Sequence, residues 1–435
     1  VRWISWLKFG ALAVVMQVAA VDAQTIAPVR PAAPTLQPTA DAFAQDAAAV
    51  ADRLDVSVDE AARQLRLQAA SVAATQTFAD RYAGRLAGVA IEHRPAFRIV
   101  LLLTGDAPVP DTVVIVDGTP VPLVFRVGAR ATHTDLVQAI TAYQAAIRAS
   151  LIAPPGLGVD QRTGELVAIV SARDVAREGH DPLRDRLAAL THVPVRLRVV
   201  DQPALDLAGP GSRIEGGGRM VGSVPGDTRR YLCTAGFAVT DGVRTAMTTA
   251  AHCPDTLGMR DREGREQTLG FVGQWGWGHQ DVQINASADP LGPSFFADTG
   301  KTISRPVTGA APRAGMRAGD VVCHRGESTG YSCAQVELTD FAPAGDLCGG
   351  ACLPTWTTVS GPGCKAGDSG SPVFLGTTAY GILKGGSYRF NGSCAFYFYM
   401  STDFLPAGWR LLTTDPAAPA AIIPPPSVLE AAPVP

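Results

Sequence analysis

Gly367-Asp368-Ser369-Gly370-Ser371-Pro372 sets a hydroxyl between glycines. Glycines on both sides let the backbone turn tightly and leave that hydroxyl exposed. They also give Gly367 a purpose: the backbone N–H groups of Gly367 and Ser369 can converge on one point, where a side chain would crowd a bound carbonyl. Alone, such a string reads equally well as a loop. Two upstream segments change its weight. Thr248-Thr249-Ala250-Ala251-His252-Cys253 ends an apolar, turn-punctuated run that begins at Ala235, just after Cys233. A hairpin there brings the two cysteines together, and a disulfide pins His252 at a strand end in the one orientation that proton transfer needs. His279-Gln280-Asp281-Val282-Gln283-Ile284 then starts a short alternating strand with a carboxylate, which can be buried against an imidazole to fix its tautomer and stabilise its cation. A lone His reads as a structural core residue and a lone Asp before a strand as a turn residue. The three together read as chemistry.

Around these segments, from Gly209 on, the chain is glycine-rich turns such as Gly216-Gly217-Gly218 followed by short apolar runs without helical period, an all-β signature. That character holds over residues 214–412. The charges of that stretch nearly balance, and the whole chain has 37 basic and 40 acidic side chains, a formal charge of −3. Nothing there suits a polyanion, so nucleic acid is not expected as a partner. With 45 glycines and 33 prolines against 46% hydrophobic residues, turns are abundant while a sizeable core remains possible.

Upstream, the 435 residues leave room for two or three domains. Arg2 and Lys8, the run Phe9 to Val21 that is apolar apart from Gln17, and Val21-Asp22-Ala23 before Gln24 read as a signal peptide over 1–23. The apolar stretch falls short of the roughly 20 residues that span a bilayer, so export is expected rather than a membrane anchor, with no membrane association once the signal is removed. Residues 24–40, with Pro28, Pro31, Pro34 and Pro38, read as an extended linker. Residues 41–205 read as a Cys-free α+β region. Ser57-Val58-Asp59-Glu60 opens one helix carrying Leu65, Val72 and Phe78; Leu136, Ile140, Tyr143, Ile147 and Leu151 mark a second, stopped by Pro154-Pro155. Strands are expected at Phe97–Leu103, Thr112–Val116, Leu123–Val127, Leu166–Val170 and Val195–Val200. The Ala/Pro-rich tail, 413–435, reads as unstructured. All 8 cysteines fall between Cys233 and Cys394, and an even number in an exported chain suggests disulfides.

Taken in order, Ala250-Ala251-His252-Cys253, Asp281-Val282 and Gly367-Asp368-Ser369-Gly370-Ser371-Pro372 resemble the chymotrypsin-type serine peptidases. Cys323, Gly326, Thr329-Gly330 and Cys333, with Gly381-Ile382-Leu383 leading to Gly385-Gly386-Ser387, are similar to the bacterial secreted group of streptogrisins and α-lytic protease, made as precursors with a folding-assisting pro-region. The likeness covers Ile214 to Leu412. It implies an all-β double β-barrel catalytic domain preceded by an α+β pro-region that serves as chaperone and inhibitor. It also implies a secreted serine endopeptidase that processes itself between Val200 and Met220, acting on protein and peptide substrates as a monomer, without cofactor or metal. Ser369 would be the nucleophile, His252 the general base and then acid, Asp281 its orienting carboxylate, and the Gly367 and Ser369 N–H groups the oxyanion hole. Lys384, Gly385 and Gly386 would line the substrate. The implied disulfides are Cys233 with Cys253, Cys323 with Cys333 and Cys364 with Cys394, leaving Cys348 with Cys352. A metal or redox site at Cys348-Gly-Gly-Ala-Cys352 is the alternative, disfavoured because no His lies within it.

The same likeness frames several departures. No Asp stands in Gly361-Pro362-Gly363-Cys364-Lys365-Ala366, which disfavours cleavage after Lys or Arg, and no His stands at Leu383, where glutamate-specific relatives carry one. An apolar or small residue before the cut bond is the remaining expectation. Lys384 replaces a Ser that helps solvate the buried Asp; it either neutralises Asp281 or points to solvent. His324 stands in place of an Arg that pairs with the Asp before the nucleophile, so His324 or Arg325 is expected to bind Asp368. The competing reading, from another class, is a catalytically silent homologue that serves as a secreted binding or adhesion protein.

Overall fold

The computed structural model describes residues 34–206, 216–260, 266–344, 347–361, 363–389 and 391–415. The segment read as a signal, residues 24–33 of the linker, and most of the tail lie outside them. So does 207–215, inside the stretch expected to contain the mature N-terminus.

Downstream of Arg219 the described chain is strands and turns with two single 3₁₀ turns. Six strands close on themselves in the order Val321–Gly326, Pro372–Leu375, Thr378–Tyr388, Cys394–Ser401, Trp356–Ser360 and Gly330–Ala342, the last pairing back to the first. Closure pairs most of each strand on both sides and leaves the ends Gly385–Tyr388 and Phe341–Ala342 to pair outside the barrel. On these strands Val321, Val373, Phe374, Leu383, Tyr397 and Tyr399 are all essentially excluded from solvent and belong to one apolar cluster. Each such apolar side chain contributes roughly 1.5–3 kcal/mol.

The strands before it form two sheets. One has five strands: Gly270–Trp275, Val282–Ala286, Thr245–Thr249, Ala238–Thr240 and Arg410–Leu411. The other has four: Arg230–Thr234, Arg219–Ser223, Thr256–Arg260 and Glu266–Thr268. Both contribute to one apolar cluster, with Met220, Met247, Leu257, Met259 and Leu269. Where a first barrel is expected, no pairing among the described residues closes these two sheets. The Cys233–Cys253 disulfide ties strand Arg230–Thr234 of one sheet to the turn that follows strand Thr245–Thr249 of the other.

Residues 39–200 carry helices and strands together. Helices Thr39–Leu54, Val58–Ala70 and Val72–Arg81 precede a four-stranded sheet in the order Leu86–Glu92, Arg98–Thr104, Thr119–Ala129, Thr112–Val116. The helix His133–Ser150 follows, started by a reciprocal cap between Thr132 and Asp135. Strand Gly156–Asp160 then pairs with Glu165–Ser171, which runs parallel to Val195–Val200 after two intervening helices, Ala172–Glu178 and His180–Thr191. Gly156–Asp160 also pairs with Phe341–Ala342 of the barrel, so one sheet of eleven strands runs through both parts.

Two expectations are corrected here. The stretch read as a linker to residue 40 is structured at its end: Thr35–Leu36 pairs in parallel with Ile303–Ser304, and a helix begins at Thr39. Pro34 and Pro38 do not forbid a short edge strand, because the donors it uses are Thr35 N and Gln37 N, and the alternate positions need none. The single helix read from Ser57 through Phe78 is two. Ser57 does cap the first, its Oγ accepting from Glu60 N at 3.2 Å, but the run breaks at Ser71. There Arg317 Nη1 donates to Ser71 Oγ at 2.9 Å and Nη2 to the Gln68 carbonyl at 2.6 Å, and a tertiary partner overrides the helical pattern.

Candidate active site

Strand Val282–Ala286 pairs antiparallel with Thr245–Thr249, with Thr249 opposite Gln283. The segment after one strand and the segment before the other therefore emerge at the same end, and these carry His252 and Asp281. Cys253, bonded to Cys233, anchors the His252 turn. His252 Nδ1 lies 3.1 Å from Asp281 Oδ2 and 3.3 Å from Oδ1. A carboxylate on that side holds the hydrogen on Nδ1 and leaves Nε2 as an acceptor.

Ser369 comes from the barrel. Its turn is held by Gly370 N donating to Leu383 O at 2.7 Å, Ser371 N to Asp368 O at 3.0 Å, and Thr234 N to Ser369 O at 2.8 Å. Thr234 Oγ1 also donates to Gly367 O at 2.6 Å, so the first sheets and the barrel are stitched at the serine itself. Ser369 Oγ sits 2.8 Å from His252 Nε2 and 3.1 Å from the Lys384 carbonyl, two acceptors for one hydroxyl proton. Gly367 has φ +102°, and a Cβ there would collide with Leu232 and Ser328 as well as strain the backbone.

Asp368 overturns an expectation. Neither His324 nor Arg325 binds it. Its carboxylate accepts from Ser328 N at 2.9 Å, Thr329 N at 3.1 Å, Thr329 Oγ1 at 2.8 Å and Lys365 N at 2.8 Å. Four short-range donors replace a cation. Burial still leaves the carboxyl raised above its ordinary range. Gly326 is required by the same packing, because a Cβ there would strike the Asp368 carboxylate. His324 instead packs at a tilt 4.7 Å from Tyr397, and its burial with Arg325 alongside pushes its pKa down to about 4. Arg325 is turned toward Gly217 O and Glu327. Residue sequence alone carried one signal for this, the Ser-Thr pair at 328–329, whose backbone and hydroxyl are natural carboxylate donors.

Lys384 departs from its expected place among the substrate-binding groups. Its side chain is 1% exposed and turned inward, with Nζ 3.2 Å from Asp281 Oδ1 and 5.5 Å from the centroid of the fully buried Trp356. Burial pushes the Asp281 carboxyl up, and the Lys384 ammonium and then the His252 imidazole more than offset it, holding the group below the usual carboxylate range. Gly385 and Gly386 pair with Phe398 and Tyr397 on one edge and with Asp206 and Leu205 on the other. The edge expected to receive an extended substrate thus carries strand Gln202–Asp206 of the same chain.

The structure links Cys233–Cys253, Cys323–Cys333, Cys348–Cys352 and Cys364–Cys394. The Cys348–Cys352 loop lies against the segment leading to Asp281: Gly278 N donates to Cys348 O at 3.3 Å and Leu353 N to Gly278 O at 3.0 Å. Sequence reading assigned that loop no contact. Among the described residues, no helix is long and apolar enough to cross a membrane.

No family model matches the chain. Streptogrisin-C of Streptomyces griseus is 26% identical to it over 211 residues, 46% of this chain; the chain spans 44% of that relative's length. Among solved structures, Thermobifida fusca protease A is 25% identical, with 46% of this chain covering all of that one at a TM-score of 0.36. Cellulomonas bogoriensis chymotrypsin is 24% identical over the same 46%, also over its full length, with a TM-score of 0.35. The chain is thus similar, over slightly less than half of its length, to bacterial chymotrypsin-like serine proteases.

Proposed function

We propose that this chain is a secreted serine endopeptidase, made as a precursor that processes itself. The observation that carries the reading is the hydroxyl of Ser369 at 2.8 Å from His252 Nε2, with Asp281 on the other ring nitrogen at 3.1 Å. Ser369 Oγ attacks the substrate carbonyl as its proton passes to His252 Nε2. The oxyanion is met by the N–H groups of Gly367 and Ser369, a contribution of about 3–4 kcal/mol per donor in comparable sites. His252 then returns the proton to the departing amine, leaving an acyl-enzyme that water cleaves by the same steps in reverse order. Asp281 keeps the imidazole in the required tautomer throughout.

The residues 39–206 serve in this reading as pro-region. Support comes from Gln202–Asp206, which lies antiparallel on Gly385–Tyr388, with Asp206 opposite Gly385. Gly385 adjoins Lys384, whose carbonyl accepts from Ser369 Oγ, so Asp206 is paired one residue away from a group that touches the nucleophile. Self-cleavage then falls shortly after that residue. Four disulfides suit an oxidising compartment outside the cytosol. The preferred residue before the cut bond is apolar or small.

A fluorophosphonate, which labels only an activated serine, tests the reading together with intact mass. The wild-type protein is expected to be labelled at Ser369 and to have lost its N-terminal segment, while S369A stays unlabelled and full-length. Normal peptide cleavage by S369A refutes the assignment.

A further inference from the structure

Lys384 is a buried cation that the proposed reaction does not itself use. Its side chain and that of Asp281 are each 1% exposed, and the ammonium stands 3.2 Å from Oδ1 while the imidazole takes Oδ2. The ammonium also lies 5.5 Å from the centre of the Trp356 ring, a face that favours a cation. Trp356 is itself tied to the approach to Asp281 by Nε1 donating to Gly278 O at 3.4 Å. The groups facing Asp281 come from three directions: His252 after strand Thr245–Thr249, Lys384 on Thr378–Tyr388, and the uncharged Met400 Sδ on Cys394–Ser401, 3.3 Å from Asp281 N. His279, two residues earlier, turns onto the Phe404 ring. Among the described residues, His252 and Lys384 are the charged groups that act on this carboxylate.

We propose that Lys384 is a positioning residue of the catalytic site: its ammonium holds the buried Asp281 carboxylate charged and facing His252, making the triad a Ser-His-Asp-Lys line. This rests on the triad reading above. An isolated buried carboxylate is costly, and without a cation on Oδ1 it takes a proton more readily. While still charged, an uncompensated carboxylate also favours the imidazolium over the neutral base. Both effects move the acid side of the activity profile the same way. Lys384 therefore keeps the enzyme working at lower pH than the same site would without it. The side chain is 1% exposed and turned toward Asp281, so its removal is expected to act on kcat and leave KM nearly alone.

The test compares secreted protein from full-length wild type, K384M, D281N and D281N/K384M. The readouts are the rate of fluorophosphonate labelling between pH 4 and 10 and kcat and KM on a peptide amide. Methionine keeps the length of the stem without the charge. K384M is expected to lose about tenfold or more in labelling rate near neutrality, with its acid limb displaced upward by about one pH unit and KM within about twofold of wild type. In the D281N background the same change is expected to alter the rate less than about twofold, because the partner is already gone. A K384M profile that overlays wild type overturns the proposal and leaves the triad standing. So does an equal loss in both backgrounds. A wild type that is not labelled at all brings down the triad reading, and this inference with it. Should K384M fail to accumulate, D281N/K384M, which has neither buried charge, is expected to accumulate as folded chain, processed or not; its failure also overturns the pairing.

Discussion

Asp368 is held by three backbone N–H groups and one hydroxyl, all from residues near it in space and none of them titratable in the neutral range. Two consequences follow at that residue. Activity has no limb from a partner imidazole here, since His324 contacts Thr329 and Ser332 instead. Asp368→Asn puts an amide N–H₂ where donors already converge and is expected to cost about 1–3 kcal/mol, read by denaturant unfolding of the S369A chain. Asp281→Asn keeps the shape of the triad but reverses the hydrogen bonding of His252, and kcat is expected to fall by about 10⁴ with KM little changed. The segments around His252, Asp281 and Ser369 were readable because each is a local string whose glycines, disulfide or strand start dictates its own geometry. The direction of Lys384 was not readable. Alternation along Thr378–Tyr388 allows either face for it, and only the placement of Asp281 and Trp356 from distant segments selects the interior.

Elements show the same division. Strands Thr112–Val116 and Val195–Val200 run as their apolar β-branched patterns suggest. Thr39–Leu54 is harder to see although its buried residues recur at helical spacing: half of them are alanine, and Asp46 stands in the middle. Strand Gly156–Asp160 is equally hidden, since glycines at 156 and 158 carry no strand propensity. They are there because a Cβ at either would meet Phe341 or Leu338 of the barrel strand on which they pack. The strand Gln202–Asp206 makes the clearest element-scale prediction. Its pairing with Gly385, Gly386 and Tyr388 uses main-chain groups, the mode by which extended peptides add to a sheet edge. A synthetic peptide of residues 200–206 is therefore expected to inhibit the processed enzyme in competition with substrate. Inhibition that substrate does not relieve counts against the shared edge.

Across the whole molecule, the helical part and the barrel meet through buried polar groups rather than apolar surface alone. Asp46 and Arg305, both fully buried, pair at 2.8 Å, and Asp46 also accepts from Tyr331 Oη and Gly376 N, each at 2.6 Å. Asp46→Ala leaves Arg305 charged and uncompensated and is expected to destabilise the unprocessed S369A chain by about 3–5 kcal/mol in denaturant unfolding. Asp46→Leu with Arg305→Met, which removes both charges, is expected to recover much of that. His133 reaches Asp340 at 2.7 Å across the same boundary. Burial pushes His133 down, but the hydrogen bond and charge of Asp340 outweigh it, so the group sits above its ordinary 6.5. Its folded value exceeds its unfolded one, and the contact therefore stabilises fully below pH 6.5 and fades as pH rises through the folded value. The stability gap between the S369A chain and its H133Q variant should narrow on that alkaline side and stay constant in acid.

The eleven-stranded sheet that runs from Val195–Val200 through Gly156–Asp160 into the barrel has a mechanical outcome. If the chain cuts itself shortly after Asp206, as proposed, the backbone is severed but the cross-strand ladder is not, so the nicked species is still a single particle. Liberation then demands peeling, or digestion of the leading fragment by a second molecule. The clock for becoming an available catalyst is set by that separation, and its rate should depend on how many copies are present once the first few are free.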